Sequence, residues 1–375
     1  MNIYFDYKGT LEGLQTNIEK ALKDGASGLI IMACEQNNFT PADLAPLVKG
    51  LSVPLIGGTF PMVMHNSKTY EKGSVVLGVL GKVTTTKLPD LNSAGVNIET
   101  QLKALADTAP WARTMVVFVD FFVLRKTDLI NTLFEVFGME ISYIGGGAGS
   151  LATERKPCLI SNAGMFADGV VVMLLDVPSG VGVGHGWRNI GSPMQATEAH
   201  GNTVKTINFL PAFGVYAEAV EKHTGIPFPR ESEKFFEASR AYPFGIARIN
   251  MEMIVRDPLM VEPDGSLVFA GEVPQDSYIS LLEGNTDTLI AAAGDSGRKA
   301  IAALPPGGKP GIFLLMDCIS RVMFMNERFK EELVVMVPQG FASAGACTIG
   351  EIANSGSEFL EFYNKTAVVA VMGEE

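Results

Sequence analysis

Three times along the chain, an apolar run too short for a buried helix is followed, a fixed distance later, by glycine inside a second apolar run. The first runs are "GLIIMACE" (28–35), "TMVVFVDF" (114–121) and "GIFLLMDC" (311–318). The separations are similar: 27 residues from Ile30 to Gly57, 29 from Val116 to Gly145 and 32 from Phe313 to Gly345. Apolar stretches of this length bounded by turn signals are strands buried on both faces, and self-similarity at one period means a repeated unit.

Each copy reads helix, strand, helix, strand, strand. In 11–80, Leu11, Leu14, Ile18 and Leu22 lie at helical spacing before a stop at Gly25, and Thr40-Pro41 caps a second helix ahead of "VPLIGGTF" (53–60) and "SVVLGVL" (74–80). In 98–176, Leu129, Leu133 and Val136 precede Gly138, "YIGGGAGS" and "GVVVMLLDV". In 286–372 the order is a helix ending near Leu304, the strand, the charged helical turn "NERFKEEL" (326–333), "ASAGACTIGEI" (342–352) and "TAVVAVM" (366–372). The predicted fold is therefore mixed α/β, with repeated units forming mixed sheets and central strands over 28–34, 114–120 and 311–317. Between the second and third copies, 178–285 is of different character: "MQATEAHGNTVKTI" alternates, a helix runs from Pro211 to His223, and Asp264-Gly265 is a hairpin turn. This gives an N-terminal domain at 1–177 and a C-terminal domain at 178–375, the latter a β-rich insert (178–285) plus the third unit (286–375).

The triple glycine of "ISYIGGGAGS" (141–150) satisfies neither the dinucleotide fingerprint, because Ser150 stands where its last glycine belongs, nor the P-loop, because no Lys appears before Lys156. The repeat offers another reason for it. Glycine recurs where a strand leaves one unit and turns toward the next, needing a positive φ or close backbone approach. At such a strand end Gly146 and Gly147 could also present N–H groups to a small ligand.

A net charge of −12 argues against nucleic acid or an anionic membrane surface as partner. The first residues lack a basic stretch before an apolar core, and the longest apolar runs are too short to span a bilayer, so a cytoplasmic location and no membrane insertion are expected. Cys34, Cys158, Cys318 and Cys347 form no Cys-x-x-Cys pair and signal no metal site or disulfide framework.

Arg321 follows an apolar strand, and Glu351 stands in the same relation to "GACTIG". A charge at such a place needs a partner. Either the two form an internal ion pair, or they face one pocket, Arg321 holding a carboxylate and Glu351 an ammonium, as in an amino-acid site. His185, between glycines in "GVGHGW", is either a hydrogen-bonded turn residue or a ligand to haem iron. A cysteine hydrolase using Cys318 or Cys347 with His185 is a further alternative, although no nucleophile elbow is present, and no catalytic residue is assigned.

Taken in order, "GVGHGW" (182–187), "GNTVKTI" and "LPAFGVY" (201–216), "YPFGI" (242–246), "VRDPLMVEPDGSLVFAGEVP" (255–274), "DCISR" (317–321), "GEI" (350–352) and "FYNKT" (362–366) resemble the FIST family of bacterial and archaeal sensory modules. The resemblance implies FIST N and FIST C parts and the sensing of a small ligand, an amino acid or other small polar metabolite, in signal transduction. It implies signature positions at Cys318, Arg321, Glu351, Asn364 and His185, and in one branch haem-based nitric oxide sensing through the histidine. With no output module recognised, the signal is expected to pass to a separate protein such as a histidine kinase.

Overall fold

The computed structural model describes residues 1–93, 95–152, 155–229, 232–248, 252–354 and 359–374. Its fold is mixed α/β, and the three apolar runs are central strands, Gly28–Cys34, Thr114–Asp120 and Lys309–Cys318. Each is parallel to its glycine-bearing neighbour (Leu55–Phe60, Ser142–Ala148, Ser343–Thr348) and antiparallel on its other side to a return strand (Ser74–Val79, Gly169–Leu175, Ala367–Glu374). The helices linking the parallel pairs form for local reasons. Over Pro41–Lys49, Thr40 and Asp43 make a reciprocal capping box with proline in the first turn, and Gly138 ends Lys126–Phe137 at φ 67°.

The unit is larger than the sequence suggests. An edge strand precedes its first helix (Asn2–Asp6, Val83–Pro89, Ser179–Gly184) and pairs with the return strand. A short hairpin lies between the glycine strand and the return strand: Met62–His65 with Lys68–Tyr70, Leu159–Ser161 with Gly164–Phe166, and Glu351–Ala353 with Glu361–Tyr363. None of these hairpins joins its own unit's sheet. The second unit's hairpin pairs with the first unit's glycine strand, the third's with the second's, and the first's with the third's. Three six-stranded sheets thus close a cyclic exchange. Ile30, Val116 and Leu314, one from each central strand, share one apolar core.

This architecture explains the glycines. A Cβ on Gly57 would lie 2.6 Å from the carbonyl oxygen of Ile31, and on Gly145 or Gly345 it would collide with the equivalent carbonyls of Val117 and Leu315. Gly146 and Gly147 face the carbonyls of Gly350 and Ile349 in the same way. None of the five has a left-handed φ. Of the two reasons expected for glycine, close approach applies, and these residues lie within strands rather than in the turn; Gly149, at φ 141°, takes the chain out of the strand.

The stretch expected as the insert opens with Ser179–Gly184, which instead belongs to the third sheet. The insert's own antiparallel sheet starts at Arg188–Asn189 and ends at Tyr278–Glu283, carrying the helices Ala212–Thr224 and Ser232–Ser239. Its Pro258–Val261/Leu267–Phe269 hairpin turns at Asp264-Gly265. No helix among the described residues is long and apolar enough to cross a membrane.

Candidate functional site

The seven singled-out positions meet in one place, at the end of the third central strand, but that place is closed. Arg321 is fully buried, and its five N–H groups all donate within the protein. Nε and Nη2 reach the two carboxylate oxygens of Glu332 at 2.8 and 2.6 Å, Nη1 reaches the carbonyls of His185 (2.6 Å) and Lys365 (3.1 Å), and Nη2 also reaches that of Leu289 (3.1 Å). Asp317 lies 3.4 Å from Nε. The expected Arg321–Glu351 pair is not formed, because Glu332 projects from Phe329–Met336 into the same space and offers a bidentate partner. No Arg321 donor remains for a ligand carboxylate.

Glu351 instead accepts from the Thr348 hydroxyl (2.8 Å) and the Thr366 N–H (3.3 Å). Burial holds its carboxyl well above the usual range. Its strand partner is Gly146, while Gly147 exchanges backbone hydrogen bonds with Ile349 and Gly350. Cys318 sits beside Ser320 at 3.2 Å, and burial, then the nearby Glu351, pushes its thiol up to about 12. The other thiols are likewise buried and shifted upward, so none is a thiolate nucleophile at neutral pH. Asn364 is buried beside Lys365, which reaches into the insert: its ammonium pairs with Asp257 at 3.1 Å, donates to the Arg240 carbonyl at 3.1 Å and lies over Trp187. The cluster therefore ties the third unit to the insert.

His185 belongs to this junction through its carbonyl. Its Nδ1 accepts from the Trp187 N–H at 2.9 Å, and Nε2 faces the Glu252 carboxylate at 3.4 Å. Burial, with Arg321 and Lys299 nearby, lowers its pKa to about 3, so the ring is neutral. The flanking glycines rest directly on the helix Thr286–Ala302; a Cβ on Gly184 would be 2.5 Å from the Ala292 carbonyl, and one on Gly186 would strike that of Thr288. With that helix backbone beside the motif and Glu252 facing Nε2, these surroundings do not fit a porphyrin.

An open site lies elsewhere, where the first and second units meet. The carboxyl ends of Gly28–Cys34, Leu55–Phe60, Thr114–Asp120 and Ser142–Ala148 border a cleft of about 600 Å³, within the size range of small-molecule pockets. Crevices beyond parallel strand ends are where open α/β sheets place ligands. Its polar lining includes Glu35, Thr59, Lys72, Asp120, Ser150 and Lys156. Asp120 is 1% exposed and already oriented. Its Oδ1 accepts from the Phe122 N–H (2.9 Å), and its Oδ2 accepts from the Asp168 N–H (2.7 Å) and from Arg155 Nε (3.0 Å). Glu35 Oε2 is buried without a hydrogen-bond partner among the described residues. Lys126 Nζ holds the turn after Asp120 by donating to the carbonyls of Phe121 and Val123, and burial lowers its pKa to about 8.

Asp120 and Glu35 are not among the positions the sequence singles out. Yet Asp120 ends an apolar run much as Arg321 follows one, and a charge at such a place needs a partner. Register places Asp120 opposite Ala148 as it places Cys318 opposite Thr348 and Cys34 opposite Phe60, so the three are equivalent positions of the repeat.

The fold is a cyclic set of α/β sheets, with a polar cleft beyond four of its strand ends. The FIST N domain model matches residues 28–209 and the FIST C domain model residues 212–354. The chain belongs to the FIST family, whose domains are sensory domains of signal transduction. No curated protein matches it.

Proposed function

We propose that this chain is the sensory component of a signalling pair, binding a small polar metabolite in the cleft between its first two units and passing the signal to a separate protein such as a histidine kinase. The observation that carries this reading is the cleft itself: four strand ends from two sheets converge on a half-enclosed, mixed-charge space with a buried, oriented carboxylate in its lining. An amino acid suits the lining. Its ammonium has Asp120 and Glu35 as acceptors, and its carboxylate has Lys72 and Lys156 as counter-charges. This moves the amino-acid site expected at Arg321 and Glu351 to a place with open access.

A thermal-shift screen of the purified protein against amino acids and small carboxylates tests it, because a specific binder raises the melting temperature by mass action. Ser150→Trp, which fills the cleft from a loop, should abolish the shift. A hit whose shift survives Ser150→Trp would place the ligand elsewhere.

A further inference from the structure

Among the described residues, Arg321 and Arg155 are held against buried carboxylates in contrasting ways. Arg321 is enclosed on a helix with every donor engaged. Arg155 comes from the segment leaving the second glycine strand, its side chain is 33% exposed, and it bridges Asp120 (Nε, 3.0 Å) and Asp168 (Nη2, 3.1 Å). Its Nη1 makes no hydrogen bond or ion pair among the described residues. Asp120 keeps its orientation without this arginine, because the Phe122 and Asp168 N–H groups also hold it. Glu35, whose Oε2 has no hydrogen-bond partner among the described residues, lines the same cleft. Arg155 is the accessible member of the pair, and a buried carboxylate that loses it needs another cation in its place.

We infer that Arg155 is a resident substitute for the ligand: the molecule sensed in this cleft carries a guanidinium or primary ammonium group that displaces Arg155 from Asp120, and release of Arg155 is the first structural consequence of binding. The inference rests on the cleft being the ligand site. Binding then includes a competition. The bound cation takes over the charge-assisted hydrogen bond to Asp120 Oδ2, Glu35 offers a second acceptor, and Arg155 moves toward solvent carrying its bridge to Asp168.

The test uses methylguanidinium chloride and methylammonium chloride as probes, read by thermal shift on the full chain, with sodium chloride at equal ionic strength as control. Removing the competitor in Arg155→Ala should lower the half-saturating concentration of at least one probe by tenfold or more relative to the unaltered protein, and adding Asp120→Asn should abolish the response. Equal responses of Arg155→Ala and the unaltered protein, or a response that persists in the double variant, would overturn the inference. Should Arg155→Ala fail to accumulate folded, Arg155→Met retains the aliphatic stem and is read by the same criteria. The two readings fail differently: a hit insensitive to Ser150→Trp removes the cleft as the site, whereas a hit abolished by Ser150→Trp yet unaffected by Arg155 removes only the exchange.

Discussion

Removing the Arg321 guanidinium leaves Glu332 buried and unpaired, so Arg321→Ala should destabilise the fold by about 3–5 kcal/mol in denaturant titration. Arg321→Lys should recover little, because an ammonium cannot make the bidentate contact and the three carbonyl contacts together. The surrounding acids set a pH dependence. Burial raises Asp317 and Glu351 well above ordinary carboxyl values, so the folded chain holds protons that the unfolded chain has released. Their contribution is full below the ordinary carboxyl range and is lost as pH rises through the folded values. Asp317→Asn and Glu351→Gln should each flatten the alkaline fall in melting temperature. His185 acts in the opposite direction. Its pKa is lowered by burial to about 3, so its contribution is present above the unfolded histidine value and is lost as pH falls toward 3.

Among the elements, the glycine strands carry the sharpest expectation. Gly145→Ala or Gly345→Ala drives a methyl into the carbonyl of the neighbouring central strand, where neither backbone can yield without breaking the parallel ladder. Each should lower stability by about 1–3 kcal/mol, as overpacking does. Gly50→Ala is the control. It lies at φ −88° with no atom near the added methyl, and there alanine should be neutral or stabilising by about 0.4–1 kcal/mol. If all three variants melt together with the parent, the close-approach account of the glycines is wrong.

For the molecule as a whole, the cyclic hairpin exchange makes separation costly. A cut between Val177 and Pro178 falls between strands, yet the first unit's hairpin belongs to the third sheet and the third unit's hairpin to the second. Residues 1–177 and 178–375 expressed apart should each expose unpaired sheet edges and aggregate. Co-expressed, they should purify as one complex with a single cooperative melt. Two independently soluble, separately melting halves would show that the exchanged hairpins contribute little.

The repeat, its central strands, the caps at Thr40 and Gly138 and the glycine positions were legible in the chain because each depends on neighbours within a few residues or on a periodicity that packing must respect. The exchanged hairpins were not: their strands are three or four residues long, too short for a pattern, and their partners lie in another unit. Glu332 shows the boundary between the two. In "NERFKEEL" it is one of several charges in a charged helical turn, yet Phe329, Glu332, Leu333 and Met336 share the buried face of their helix, so the spacing placed it inward. That it, rather than Glu351, would meet Arg321 depended on how helix and strand dock. The same holds for the cleft, where Glu35 and Asp120 are 85 positions apart in the chain and line one cavity only once two sheets converge. Local chemistry chooses strands, helices and caps from nearby residues; which charges become partners is settled by distances that exist only after the sheets have closed.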